Sequence, residues 1–124
     1  MKNVLVACYN RSSFERVLEP VNDHRTNIVL VTTQVEVKNI KTLDDLNRYD
    51  MILIGPIDHR IYATSCSLAK HFRARFEGPI IAIGSNAEWR SYLEDTDCCT
   101  HVFSDEGEAA EFIRDTLFHD ERPV

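Results

Sequence analysis

Cysteine is scarce in this sequence: Cys8, Cys66, Cys98 and Cys99 are the only four in 124 residues. A disulfide scaffold needs a far higher density, and no charged n-region with an apolar h-region and cleavage site precedes the first apolar run. A reduced, cytoplasmic protein is therefore expected. The vicinal pair Cys98-Cys99 lacks the two-residue gap of a zinc or redox pair and cannot bridge to a common partner without strain. No apolar run approaches 18 residues, which excludes a membrane-spanning helix. The two strongest nucleotide signatures are missing too: no Gly-x-Gly-x-x-Gly follows the first strand-like run, and no Gly-Lys-Ser/Thr closes a phosphate loop. His24, His59, His71, His101 and His119 include no i, i+4 pair and no metallohydrolase motif, so neither a metal nor a cofactor is expected.

Basic runs are also lacking. Fourteen Lys and Arg against twenty Asp and Glu leave a net charge of −6. A phosphate-backbone binder relies on cations to displace counterions, so direct nucleic-acid binding is not expected, and the same sign disfavours anionic membrane surfaces. The charge is uneven: residues 1–104 carry 12 basic and 13 acidic groups, whereas residues 105–124 carry 2 and 7, a net of −5. A basic group of Arg60, Lys70, Arg73 and Arg75 contrasts with that acidic end, as a solvated helix face or as an electrostatic surface for an acidic partner or another copy.

Four short apolar runs stand out: Val4 to Ala7, Ile28 to Val31, Met51 to Ile54 and Ile80 to Ile83. They lack polar alternation, as strands buried on both faces do, and His101 to Phe103 (β5) is a weaker fifth. Helix-period segments lie between them. Ser12 and Glu15 have capping-box spacing ahead of Phe14, Val17, Leu18 and Val21 on one face, with Pro20 shortening the end. Thr42 and Asp45 suggest a short second helix with Leu43 and Leu46 inward. A third, Ser65 to Phe76, places Leu68, Ala69, Phe72 and Phe76 at helical spacing and stops at Gly78-Pro79. A fourth (α4, Ala87 to Thr96) carries Trp89, Tyr92 and Leu93, and a fifth (α5, Asp105 to Phe118) carries Ala109, Ala110, Phe112, Ile113 and Leu117, with acids crowding its first turns. Alternation of this kind predicts one α/β domain with a doubly wound five-stranded parallel sheet, order 2-1-3-4-5, of the flavodoxin-like kind. Residues 1–118 form that domain, and 119–124 read as a tail or the start of a linker.

Ligands of such folds bind beyond the carboxyl ends of the strands, which directs attention to Cys8, Tyr9, Asn10, Gly55, Pro56, Ile57, Asp58, Gly84, Ser85, Asn86, Ser104 and Asp105. Cys8 sits ahead of a helix start with Arg11, Ser12 and Ser13. It reads either as a thiolate in a positive field or as a small buried hydrophobe ending a strand. Ser85 has no elbow motif and no assignable His-acid partner, so turn chemistry accounts for it.

The stretches Val4-Leu5-Val6-Ala7-Cys8-Tyr9, Tyr49-Asp50-Met51-Ile52-Leu53-Ile54-Gly55 and Gly78-Pro79-Ile80-Ile81-Ala82-Ile83-Gly84 resemble the first, third and fourth strands of receiver domains of bacterial response regulators. The resemblance runs from about residue 2 to 118. It implies a pocket in which an acidic pair holds Mg²⁺, an Asp accepts a phosphoryl group, and a Thr or Ser and a Lys sense it. On this chain those positions fall on Cys8 and Tyr9, Gly55, Gly84, and Ser104. Asp105 stands where the family has Pro, and a shift of one residue brings Ser85 to the hydroxyl position. Gly55 offers no nucleophile, and without paired carboxylates no hard cation is held to neutralise the transferring group. Asp58 is the carboxylate nearest the acceptor position. The family's aromatic switch falls near His101.

The resemblance thus implies a degenerate, non-catalytic pseudo-receiver of the two-component kind, acting by contact with a protein partner or by homodimerisation through the α4-β5-α5 face. Trp89, Tyr92, His101, Glu106, Glu111 and Asp115 are expected in or near that face. A second expectation comes from Cys8 with Ser13 five residues on, and from Leu53-Ile54-Gly55-Pro56. These resemble the phosphocarrier B component of sugar phosphotransferase systems, with Cys8 accepting the phosphoryl group, although that family's glycine-bearing loop is missing.

Overall fold

The computed structural model describes residues 2–8, 14–21, 24–31, 46–55 and 62–118. The elements are β1 (Lys2–Ala7), α1 (Glu15–Leu18), β2 (Thr26–Val31), a single 3-10 turn labelled α2 (Leu46–Arg48), β3 (Met51–Ile54), α3 (Tyr62–Arg75), β4 (Ile80–Ile83), α4 (Ala87–Thr96), β5 (His101–Phe103) and α5 (Glu106–Phe118). All neighbouring strands are parallel, in the order β2-β1-β3-β4-β5. The expected doubly wound sheet is the observed one.

Period-two alternation divides the central strands between two cores. Leu5, Ala7, Ile52, Ile54, Ile80 and Ala82 pack with Leu68, Ala69 and Phe72 of α3 and Trp89 and Leu93 of α4. Val4, Val6, Met51, Leu53, Ile81 and Ile83 pack with Phe14, Val17, Ala109, Ile113 and Leu117 on the opposite side. Their near-continuous apolar sequence is what burial on both faces demands. Ile28, Val29 and Leu30 of β2 are only half-buried, contrary to the expectation from their apolar run, because β2 is an edge strand with one neighbour.

Helix bounds follow local chemistry. Asn86 caps α4, its Oδ1 accepting the Trp89 N–H at 3.0 Å, and Asp97 ends the helix in the left-handed region at φ 53°, which Asp tolerates better than most residues. Asp105 precedes α5 rather than beginning it: its Oδ1 accepts the Gly107 N–H at 2.8 Å, so its carboxylate does the work of a cap. α1 is one turn long, ending ahead of Pro20, and Phe14 occupies its N-cap position with no side-chain cap. Ser12 of the expected capping box and Thr42 of the expected second helix lie outside the described residues, as do residues 119–124.

Arg73, expected in a basic group that forms either a solvated helix face or an electrostatic surface, is instead a clamp. Its Nε donates to the Cys98 carbonyl at 3.0 Å, Nη1 to Phe76 at 3.1 Å, and Nη2 to Gly78 at 3.1 Å and Thr100 Oγ1 at 3.3 Å. One planar guanidinium thus closes the C-terminal end of α3 and holds the α4–β5 connection against it. Replacing Arg73 with Met leaves these carbonyls without their donors and is expected to cost about 2 kcal/mol, read as a fall in Tm of roughly 6–12 °C in thermal denaturation. Arg73→Lys should recover less than half of the loss, since an ammonium cannot reproduce the fork.

Candidate functional site

At the carboxyl edge of the sheet, Cys8, Gly55 and Gly84 each extend a strand by one residue. The Cys8 N–H donates to Val31 (3.1 Å), Gly55 to Ala7 (2.7 Å) and Gly84 to Phe103 (3.0 Å). Two of these carbonyls are taken by helices: Ser65 Oγ, buried in α3, donates to Gly55 at 3.4 Å, and Arg90 Nη1 of α4 donates to Gly84 at 2.7 Å. The sequence offered no signal for either contact.

Aromatic rings cover the two glycines. A Cβ at Gly55 would overlap the Phe14 ring and lie 3.1 Å from Cys8 Cβ, and a Cβ at Gly84 would lie 2.5 Å from Trp89 Cζ3. Phe14 and Trp89 are buried, at 2% and 1% exposure. Aromatic carbon thus occupies the space that a side chain at either glycine would need. Cys8 is fully buried and Ser104 is exposed. Tyr9 and Asp58 lie outside the described residues.

A receiver's divalent cation does not fit the groups described here. A hard cation needs several oxygen ligands, and Cys8, Gly55 and Gly84 bring a buried thiol and two residues without side-chain donors. Among the described residues, no group of three or more His, Cys, Asp or Glu is placed to hold a metal ion.

The positions expected on the α4-β5-α5 face separate. Trp89 is not on it: the cap at Asn86 turns the third residue of α4 inward, so Trp89 and Leu93, one turn apart, form the buried side of the helix. Its indole N–H is buried without a hydrogen-bond partner. Tyr92 is 55% exposed. Glu106, Glu111 and His101 are exposed, and Asp115 is half-buried beside Arg114 at 3.5 Å. The His101 ring stacks on Phe103 (5.8 Å between centroids) and tilts against Phe112 (4.3 Å).

Cys66, Cys98 and Cys99, scattered in sequence, share the layer between α3 and α4. Burial pushes the Cys66 thiol up, and pushes Cys99 up to about 12 with Cys98 adding to the shift and Arg73 opposing it. The Cys66 and Cys99 thiols are thereby disfavoured as thiolates, the reverse of what a nucleophile needs. Among the described residues, no cysteine is in a disulfide.

No family model and no curated protein matches this chain. Solved structures do. The signal receiver domain of a two-component histidine kinase from Clostridium thermocellum aligns over 94% of this chain and 97% of its own, with TM-score 0.71 and 14% identity. A receiver domain of a sensor histidine kinase from Pseudomonas aeruginosa, with magnesium coordinated in its active site cleft, aligns over 94% and 97% with TM-score 0.62 and 18% identity. A structure described as a pilus assembly protein (cpaE) from Burkholderia thailandensis aligns over 94% and 98% with TM-score 0.64 and 13% identity. The fold of this chain is receiver-like.

Two outcomes follow from the packing. Gly55→Ala and Gly84→Ala each drive a methyl group into a ring and should destabilise the protein by about 1–3 kcal/mol in urea denaturation. The second concerns pH. Below about 8.5, where an ordinary thiol is protonated, Cys99 is neutral whether the chain is folded or not. Between there and about 12 only the unfolded chain releases the proton, so the stability this thiol contributes is lost as pH rises. Stability measured from pH 8 to 11 should fall less steeply in Cys99→Ala than in the wild type.

Proposed function

We propose that this chain is a pseudo-receiver, a non-catalytic signalling domain that works by protein contact and without accepting a phosphoryl group. The observation that carries this reading is the packing at the strand ends. Phe14 covers Gly55 and Trp89 covers Gly84, so the space in which receivers keep an acceptor and a hydroxyl holds aromatic carbon. Transfer of a phosphoryl group requires positioned charge at that point, and a buried thiol flanked by two glycines supplies none. Receiver domains among the similar structures support the signalling role, and the pilus assembly protein places the same fold in a protein named for a different task.

With the strand ends closed, the contact surface of this reading is the edge formed by α4, β5 and α5. The Cys8 carrier reading has no observation in its favour: the thiol is fully buried, and a phosphoryl donor has no route to a sulfur without exposed surface. Incubation with acetyl phosphate and Mg²⁺ is expected to leave the intact mass and the tryptophan fluorescence unchanged; a stable adduct of one phosphoryl group would overturn the proposal. Alkylation of Cys8 should occur only when the chain is unfolded, and labelling of the native protein at Cys8 would reopen the carrier reading.

A further inference from the structure

The charge on this chain has a direction. Residues 87–118 hold nine acidic and two basic groups, a net of −7, while residues 1–86 hold nine and eleven, a net of +2. Both cations of the acidic half are engaged, Arg90 on the Gly84 carbonyl at 2.7 Å and Arg114 beside Asp115 at 3.5 Å.

The same region carries a group of aromatic rings: His101 is exposed, and Phe103 and Phe112 are half-buried, packed against the second core along their inner sides. His101 and Phe103, two residues apart on β5, project to the same side of the sheet, and Phe112 of α5 meets both rings, at 4.3 and 5.5 Å. Val102 between them packs into the opposite core. On α5, the helical neighbours of Phe112 at i−4 and i+3 are Glu108 and Asp115, so carboxylates stand on the flank that turns toward β5, with Glu111 alongside. An apolar centre is thus rimmed by charge of one sign, at a sheet edge with only three residues of strand to offer. Side chains rather than a backbone ladder carry contacts at such an edge.

Resting on the contact-signalling reading above, we propose that the β5–α5 edge docks a cationic protein segment in which Lys or Arg flank apolar side chains, and that it does not pair with a second copy of itself. A twofold contact here would set the acidic rim against its own image, where like charges repel. A cationic segment reverses that sign: its ammonium or guanidinium groups meet the exposed Glu108 and Glu111, its apolar side chains cover the outer edges of Phe103 and Phe112, and a guanidinium can lie over either ring.

The test uses the full chain and three labelled peptides of equal length: a Lys-Leu amphipathic helix, its Glu-Leu counterpart, and a Lys-Gly-Ser peptide with the charge of the first. The Lys-Leu peptide is expected to bind with salt-sensitive affinity, shifting amide resonances of 101–103 and 108–116. The Glu-Leu peptide should not bind, and the Lys-Gly-Ser peptide should bind about tenfold more weakly. Glu108→Lys with Glu111→Lys, both exposed and therefore expected to fold, should weaken the Lys-Leu peptide by about tenfold or more. Unchanged affinity in that variant, equal binding of the Lys-Gly-Ser peptide, shifts spread over the whole surface, or a wild-type dimer with its contact on β5 and α5 would each overturn the proposal. Absent peptide binding with no acetyl-phosphate adduct sinks this inference alone. An adduct with peptide binding intact sinks the pseudo-receiver reading and leaves the docking edge standing.

Discussion

Burial of β1, β3 and β4 on both faces is the constraint from which the other features descend. Each fully buried Val, Leu or Ile on these strands is worth about 1.5–3 kcal/mol, and that gain is available only if helices cover both sides. The parallel arrangement follows, since crossovers deliver a helix to one face or the other between successive strands. So does the need to close the sheet at its ends, where helices change direction and backbone groups leave the ladder. Arg73 meets that need at the amino edge of β4, with one side chain satisfying the carbonyls of Phe76, Gly78 and Cys98. Ser65 and Arg90 meet it at the carboxyl edge.

The carboxyl edge of the sheet is the second place where side chains cover strand ends. In an open α/β sheet this is where ligands enter, and here two aromatic rings lie against the strand-end glycines. A ring packs over each of these glycines because no side chain there opposes it. At the rim of the sheet, β5 has a neighbour on one side only, and acidic residues of the last two helices are exposed beside it.

Much of this was legible in residue order. Met51–Ile54, Ile80–Ile83 and His101–Phe103 are strands with the expected bounds, because short β-branched and aliphatic runs end at turn residues such as Gly55 and Gly84. Helix starts were less legible. Asp105 reads as a first helical residue on charge alone, yet its carboxylate is spent on the Gly107 N–H. Trp89 and Tyr92 share a helical spacing compatible with either the core or the surface, and the cap at Asn86 sends the first inward and leaves the second in solvent.

By itself the sequence determined the strand and helix segments, the alternation that marks a doubly wound α/β fold, and the residue types at the strand ends, since these rest on local periodicity and on residue identity. Tertiary structure alone decided what covers the strand ends and the sheet edge. That Phe14 meets Gly55, that Arg73 reaches the Cys98 carbonyl, and that His101, Phe103 and Phe112 converge inside an acidic rim are contacts between distant segments, and periodicity carries no information about which distant residues will meet.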